Sequence, residues 1–143
     1  MQFTQVSLLV GFILGVLART LSDVIREEYR RFRERRERRD QYRDDVKKQL
    51  ESMYSIWYVL KDVDDPRIDL RQDIIDQIRE TLEYLSYYSA YGGRKNTSEE
   101  LRQQLQKIAS LCQPTHSREE WLKSTRERME EELRKLLELS KRL

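Results

Sequence analysis

The chain of 143 residues has one cysteine, one histidine, two prolines and four glycines. A lone Cys112 excludes a disulfide framework and a multi-cysteine zinc site, so nothing implies an oxidising compartment. With only His116, and no Glu-x-x-His pair, a carboxylate-bridged di-iron centre is not expected, and catalysis lacks an obvious base and nucleophile. Asp62, Asp64 and Asp65 lack the spacing and central glycine of a calcium loop, and no glycine-rich phosphate loop occurs. No enzyme activity, metal or cofactor is expected. The scarcity of glycine and proline argues against a β-sandwich or a disordered tail.

From Ala18 to Lys61 there is no glycine or proline at all, which predicts a long unbroken helix. The stretch before it, from Phe3 to Ala18, is apolar apart from Thr4, Gln5 and Ser7. Sixteen residues reach about 24 Å as a helix, against about 30 Å of hydrocarbon. Extension to Leu21, with Arg19 snorkelling, closes the gap. Three readings compete: a cleaved signal peptide, a buried soluble helix and an uncleaved single-pass anchor. Val16-Leu17-Ala18 fits a cleavage site, but MQFTQ lacks a positive leader and arginines follow at once. The anchor is the reading adopted.

Charged residues make up 38% of the chain and nearly cancel, to a net +2, yet the arginines are unevenly placed. Arg19, Arg26, Arg30, Arg31, Arg33, Arg35, Arg36, Arg38 and Arg39 all follow the apolar stretch, and no Lys or Arg precedes it. The positive-inside rule then puts the N-terminus outside the cell inner (plasma) membrane and the rest in the cytoplasm. Their expected role is topology and lipid-headgroup contact. Interleaved Glu27, Glu28, Glu34 and Glu37 pair along the helix, as Glu27 with Arg31 and Glu34 with Arg38, and dilute a nucleic-acid footprint. A nucleic-acid partner is therefore disfavoured.

On a helix Ser7, Gly11 and Gly15 share a face, with Thr4 and Ala18 near it. This doubled small-xxx-small pattern lets backbones approach in lipid and predicts a homo-oligomer. Thr4 and Gln5 are polar groups that would bond across a helix interface or wet one end of a pore.

Between Arg33 and Asp45 the only large apolar body is Tyr42, so this part reads as a solvated spacer rather than core. Periodicity resumes at Val46, Leu50, Met53, Trp57 and Leu60. Asp65-Pro66 reads as the start of the next helix, carrying Leu70, Ile74, Ile75, Ile78, Leu82 and Leu85, with Gly92 or Gly93 as its left-handed cap. Thr97-Ser98-Glu99-Glu100 and Ser117-Arg118-Glu119-Glu120 read as capping boxes for two further helices. Leu101, Leu105, Ile108 and Cys112 would face inward on the third, which Pro114 would end. On the fourth the expected stripe is Leu122, Met129, Leu136 and Leu143, with Leu133 and Leu137. Two aromatic groups stand out: Tyr54, Trp57 and Tyr58, then Tyr84, Tyr87, Tyr88 and Tyr91. They are core edges or a partner interface, at opposite ends of a helical hairpin.

The expected architecture is all-α: a transmembrane helix (1–21), a basic helical stalk (22–45) and a cytoplasmic antiparallel four-helix bundle (46–143). A pore- or channel-like membrane effector gated by the helical domain fits this layout, as in a microbial defence system. A scaffold recruiting a cytoplasmic protein partner is the alternative. An exported coiled-coil protein is disfavoured by the charge asymmetry.

Overall fold

A computed structural model describes residues 2–65, 67–113 and 117–143, without the side chains of Gln2, Phe3 and Arg118. The described residues form four helices and no strand: α1 (Gln2–Leu60), α2 (Leu70–Ala90), α3 (Lys95–Leu111) and α4 (Arg118–Ser140). The chain divides into two units, Met1–Glu37 and Arg38–Leu143.

In the first unit no proline interrupts α1, and the Arg, Glu and Leu residues after Ala18 favour helix. Every large apolar side chain from Val6 to Phe32 is 48–71% exposed. Thr20 Oγ1 donates back to the Val16 carbonyl at 2.9 Å, so its hydroxyl is satisfied within the helix.

The second unit has one core to which all four helices contribute. Val46, Leu50, Met53 and Trp57 come from α1; Leu70, Ile74, Ile78, Leu85 and Tyr88 from α2. From the α3 side come Leu101, Leu105, Ile108 and Cys112, and α4 supplies Trp121, Met129, Leu133 and Leu136. Each such aliphatic side chain is worth about 1.5–3 kcal/mol when fully removed from water. α2 packs on α3 and α3 on α4. Polar pairs cross between elements at the rim: Gln49 to Glu80 at 3.4 Å, Lys61 to Glu130 at 2.9 Å and Arg126 to Asp62 at 2.8 Å.

Helix starts depart from the sequence expectations in two places. Asp65 caps only a single turn, accepting from the Arg67 amide at 2.9 Å while its carbonyl accepts from Ile68 at 3.0 Å. The α2 helix begins at Leu70, with Asp69 as N-cap accepting from Gln72 N. Thr97 and Ser98 lie inside α3 instead of capping it, because the helix already starts at Lys95 with Arg94 as N-cap. Ser98 Oγ turns back to the Arg94 carbonyl at 2.8 Å. Pro66, Pro114 and His116 lie outside the described residues.

Ser117 does cap α4, accepting from Glu120 N. The α2 C-terminus ends as expected: Gly92 sits at φ +90° and the Gly93 amide donates to the Tyr88 carbonyl at 2.9 Å. Gly93 is needed for a different reason. A Cβ there would overlap the Tyr88 ring. On α4 the fully buried stripe starts at Trp121, with Leu122 only half-buried against the core.

Candidate functional site: the exposed apolar helix, the arginines and the aromatic clusters

Thr4, Gln5, Ser7, Gly11 and Gly15 are all exposed. A Cβ built on Gly11 or Gly15 meets nothing within 4 Å, so the face they define is open in the single chain. At i, i+4 and i+8 on a helix of 3.6 residues per turn, Ser7, Gly11 and Gly15 drift by only about 40° per step. The small side chains therefore form a continuous shallow strip, flanked by Leu8, Phe12 and Leu14. By length and composition α1 is the one helix among the described residues apolar enough to cross a membrane, and none of its apolar window is buried.

The arginines follow on exposed turns of the same helix. Arg30 and Arg31 share Glu27 at 2.8 and 3.4 Å, and Arg33 pairs with Glu37 at 3.2 Å. Arg19, Arg26, Arg35 and Arg36 are exposed as well. Such pairs are screened within about 8–10 Å at physiological salt, so they stabilise the helix weakly and leave guanidinium edges to solvent. Arg38 and Arg39 belong to the second unit. Arg38 Nη1 donates to Tyr91 Oη at 3.1 Å and its guanidinium stands 5.8 Å from the Tyr91 ring centre.

The two tyrosine-rich groups make separate ring contacts. Tyr42 stacks on Tyr91 (5.5 Å, 25°) and tilts against Tyr87 (5.2 Å). Tyr42, expected from its charged neighbours to lie in a solvated spacer, is partly buried against the core. Tyr54 and Tyr58 are 4.4 Å apart, with Lys61 Nζ 4.4 Å over the Tyr58 ring. The hydrogen bond with Tyr54 pushes the Tyr58 phenol up to about 12. Tyr87 donates to Glu83 at 3.2 Å, which raises its phenol too.

Trp57 and Tyr88 are buried, and Tyr84 is half-buried against the core; Tyr58 and Tyr87 are 38% and 42% exposed. Trp57 meets Trp121 edge-on at 6.0 Å, and Trp121 Nε1 donates to the Leu111 carbonyl at 2.6 Å. Arg71 lies over the Trp121 ring at 5.6 Å. Trp121 and Arg71 carry no sequence signal as a pair. Trp121 alone could have been found, since it precedes Met129 by eight residues and so shares its face.

Cys112 is buried, and desolvation pushes its thiol up to about 12, which makes it a packing residue and a poor nucleophile. Among the described residues no group of three His, Cys, Asp or Glu side chains is placed to hold a metal ion. Among the described residues one carboxylate, that of Glu132, is buried, and it meets Gln104, Lys107 and Lys135. Burial raises its carboxyl, but hydrogen bonds from Gln104 and Lys107 hold it below the usual range, with Lys135 at 3.6 Å. No family model, curated protein or solved structure matches the chain.

Proposed function

We propose that the chain is a non-enzymatic single-pass protein of the cell inner (plasma) membrane that assembles with copies of itself through the Ser7, Gly11 and Gly15 face. The supporting observation is a long apolar helix stretch that buries nothing, with its glycine strip open. In water that arrangement is costly. In hydrocarbon it costs nothing, and close backbone approach supplies the packing that side-chain hydrophobicity cannot. The arginines after the stretch set the N-terminus outside and the second unit in the cytoplasm, there as an antiparallel four-helix bundle. In this reading the oligomer has a membrane role of its own, as a pore- or channel-like effector gated through the bundle, in a setting such as microbial defence. Thr4, Gln5 and Ser7 line or bridge its outer end.

The exposed Tyr58 and Tyr87 favour a second reading, a scaffold whose bundle recruits a cytoplasmic protein. Liposomes assayed for ion leakage together with oligomer size separate the two. In a pore, Gln5→Leu cuts conductance while the oligomer persists. In a scaffold it removes only an interhelical hydrogen bond, about 0.6–2 kcal/mol, and acts on assembly alone. Well-formed oligomers that never leak defeat the pore reading. Monomers in detergent and in bilayers defeat both.

A further inference from the structure

Where α2 turns into α3, a cavity of about 180 Å³ is lined by Arg39 and Arg43 of α1, Tyr88, the Gly92–Gly93 turn, Arg94 and Leu143. Its walls are mostly polar. The Arg39 and Arg43 side chains are only 33% and 34% exposed. Asp40 serves both, at 3.1 Å from Arg39 and 3.5 Å from Arg43. Asp44, 71% exposed, reaches Arg43 at 3.5 Å. Arg94 is exposed and donates to a neutral group, the Arg142 carbonyl, at 3.1 Å. The α3 helix begins at this wall with no side-chain cap and no acid in its first turn, and Lys95 is its first residue. Positive charge thus converges here from three arginine side chains and from a helix end, opposed by Asp40, Asp44 and the main-chain carboxyl end of Leu143.

We infer that this cavity binds a phosphate group. Planar guanidinium forks match phosphate oxygens in paired hydrogen bonds, which a lysine cluster does not. The volume well exceeds the roughly 10–15 Å³ that one water needs on the same measure. It falls short of the roughly 300–1,000 Å³ of pockets that enclose drug-sized molecules. A phosphate fits with some hydration; a whole nucleotide would lie mostly outside. The group is either free in solution or part of an anionic lipid headgroup. This site goes beyond the membrane reading and stands independently of it.

The test uses the full chain, with cooperative unfolding of the second unit as readout. One arm, in uncharged detergent, titrates inorganic phosphate against chloride at matched ionic strength. The other compares phosphatidylcholine nanodiscs with and without phosphatidylglycerol. A saturable rise in Tm with phosphate identifies the free anion; a rise confined to phosphatidylglycerol discs identifies the headgroup. In either case Arg43→Gln weakens the effect about tenfold or more, Arg43→Lys weakens it while retaining charge, and Arg128→Gln on the exposed face of α4 leaves it unchanged. Should Arg43→Gln fail to fold, the exposed Arg94→Gln takes its place. Phosphate also stabilises proteins non-specifically by exclusion from their surface, without saturating. No saturable shift in either arm, or one that survives Arg43→Gln and Arg94→Gln unchanged, overturns the site.

Discussion

Leu8 and Leu50 lie on the same helix and differ completely in their surroundings. Leu8 is 71% exposed and Leu50 is fully buried. Around Leu50 the chain supplies its own apolar environment from α1, α2, α3 and α4. Around Leu8, from Val6 through to Phe32, every large apolar side chain among the described residues stays exposed. At about 25 cal/mol per Å² such a stretch is a heavy liability in water. Both regions are helical; what separates them is the pattern. Apolar residues on one stripe, with charge on the remainder, ask for other helices. Apolar residues all round, with one strip of Ser and Gly, are what the proposed function assigns to lipid and a close neighbour.

The sharpest contrast comes from placing the same charge in each region. Leu136→Asp buries a carboxylate without a partner among Met129, Leu133 and the facing helices. It should cost several kcal/mol, about a third or more of typical domain stability, and abolish or steeply lower the cooperative melt of the second unit. Leu14→Asp should leave that melt in place. It should instead impair membrane insertion, by about 2.5–3.5 kcal/mol near the helix centre. Melting by circular dichroism and extraction of membranes with alkali measure the two effects. Equal loss of melt in both variants would erase the distinction between the regions.

Glycines make a second pair. Gly93→Ala forces a methyl into the Tyr88 ring, whose hydroxyl also accepts from the Arg94 amide at 3.2 Å, and should destabilise the second unit by about 1–3 kcal/mol. Gly11→Ala meets open space. It should not change the melt at all; Gly11→Leu, which removes the small-residue strip, should lower oligomer mass in detergent.

These contrasts also show what was legible in the sequence. The Val46, Leu50, Met53 and Trp57 stripe, the Gly92 cap and the Ser117 cap were readable because each depends on local spacing and backbone chemistry. The start of α3 was not. Thr97-Ser98-Glu99-Glu100 is a sound local signal, but the Tyr88 hydroxyl accepts from the Arg94 amide, serving the helix entrance from a neighbouring element. Asp65 likewise closed a turn of its own, and Asp69 began the helix. Tyr42 was hidden among charges because its partners, Tyr87 and Tyr91, are far along the chain. The arginine-lined cavity was invisible for the same reason: Arg94 is far in sequence from Arg39 and Arg43. Ser7, Gly11 and Gly15 were legible as a strip, since their relation is one of helix period alone.

A smaller effect should appear with pH. The folded state holds Glu132 below the usual carboxyl range, so it binds that proton more weakly than the unfolded chain does. The stabilisation is fully present above the unfolded value, about 4.3, and is lost as pH falls through the lower folded value. Tm of the second unit should therefore fall in acid below about pH 4.3, and Glu132→Gln should flatten part of that slope. Thr4 to Ala18 contains no ionisable side chain, so the helicity of that stretch in detergent should not follow the same curve. A slope unchanged by Glu132→Gln would assign the acid sensitivity elsewhere.

The central claim, that the first region meets a copy of itself in the bilayer along one strip, is tested most directly by single-cysteine cross-linking in native membranes. Gly11→Cys lies on the strip; Ile13→Cys lies about 200° round the helix from it. Cys112 is a suitable silent background, buried with its thiol raised to about 12. Under mild oxidation the account predicts a disulfide-linked dimer from Gly11→Cys and little from Ile13→Cys or the unaltered chain. Equal cross-linking from both positions, or none from Gly11→Cys in membranes that contain the protein, would contradict it.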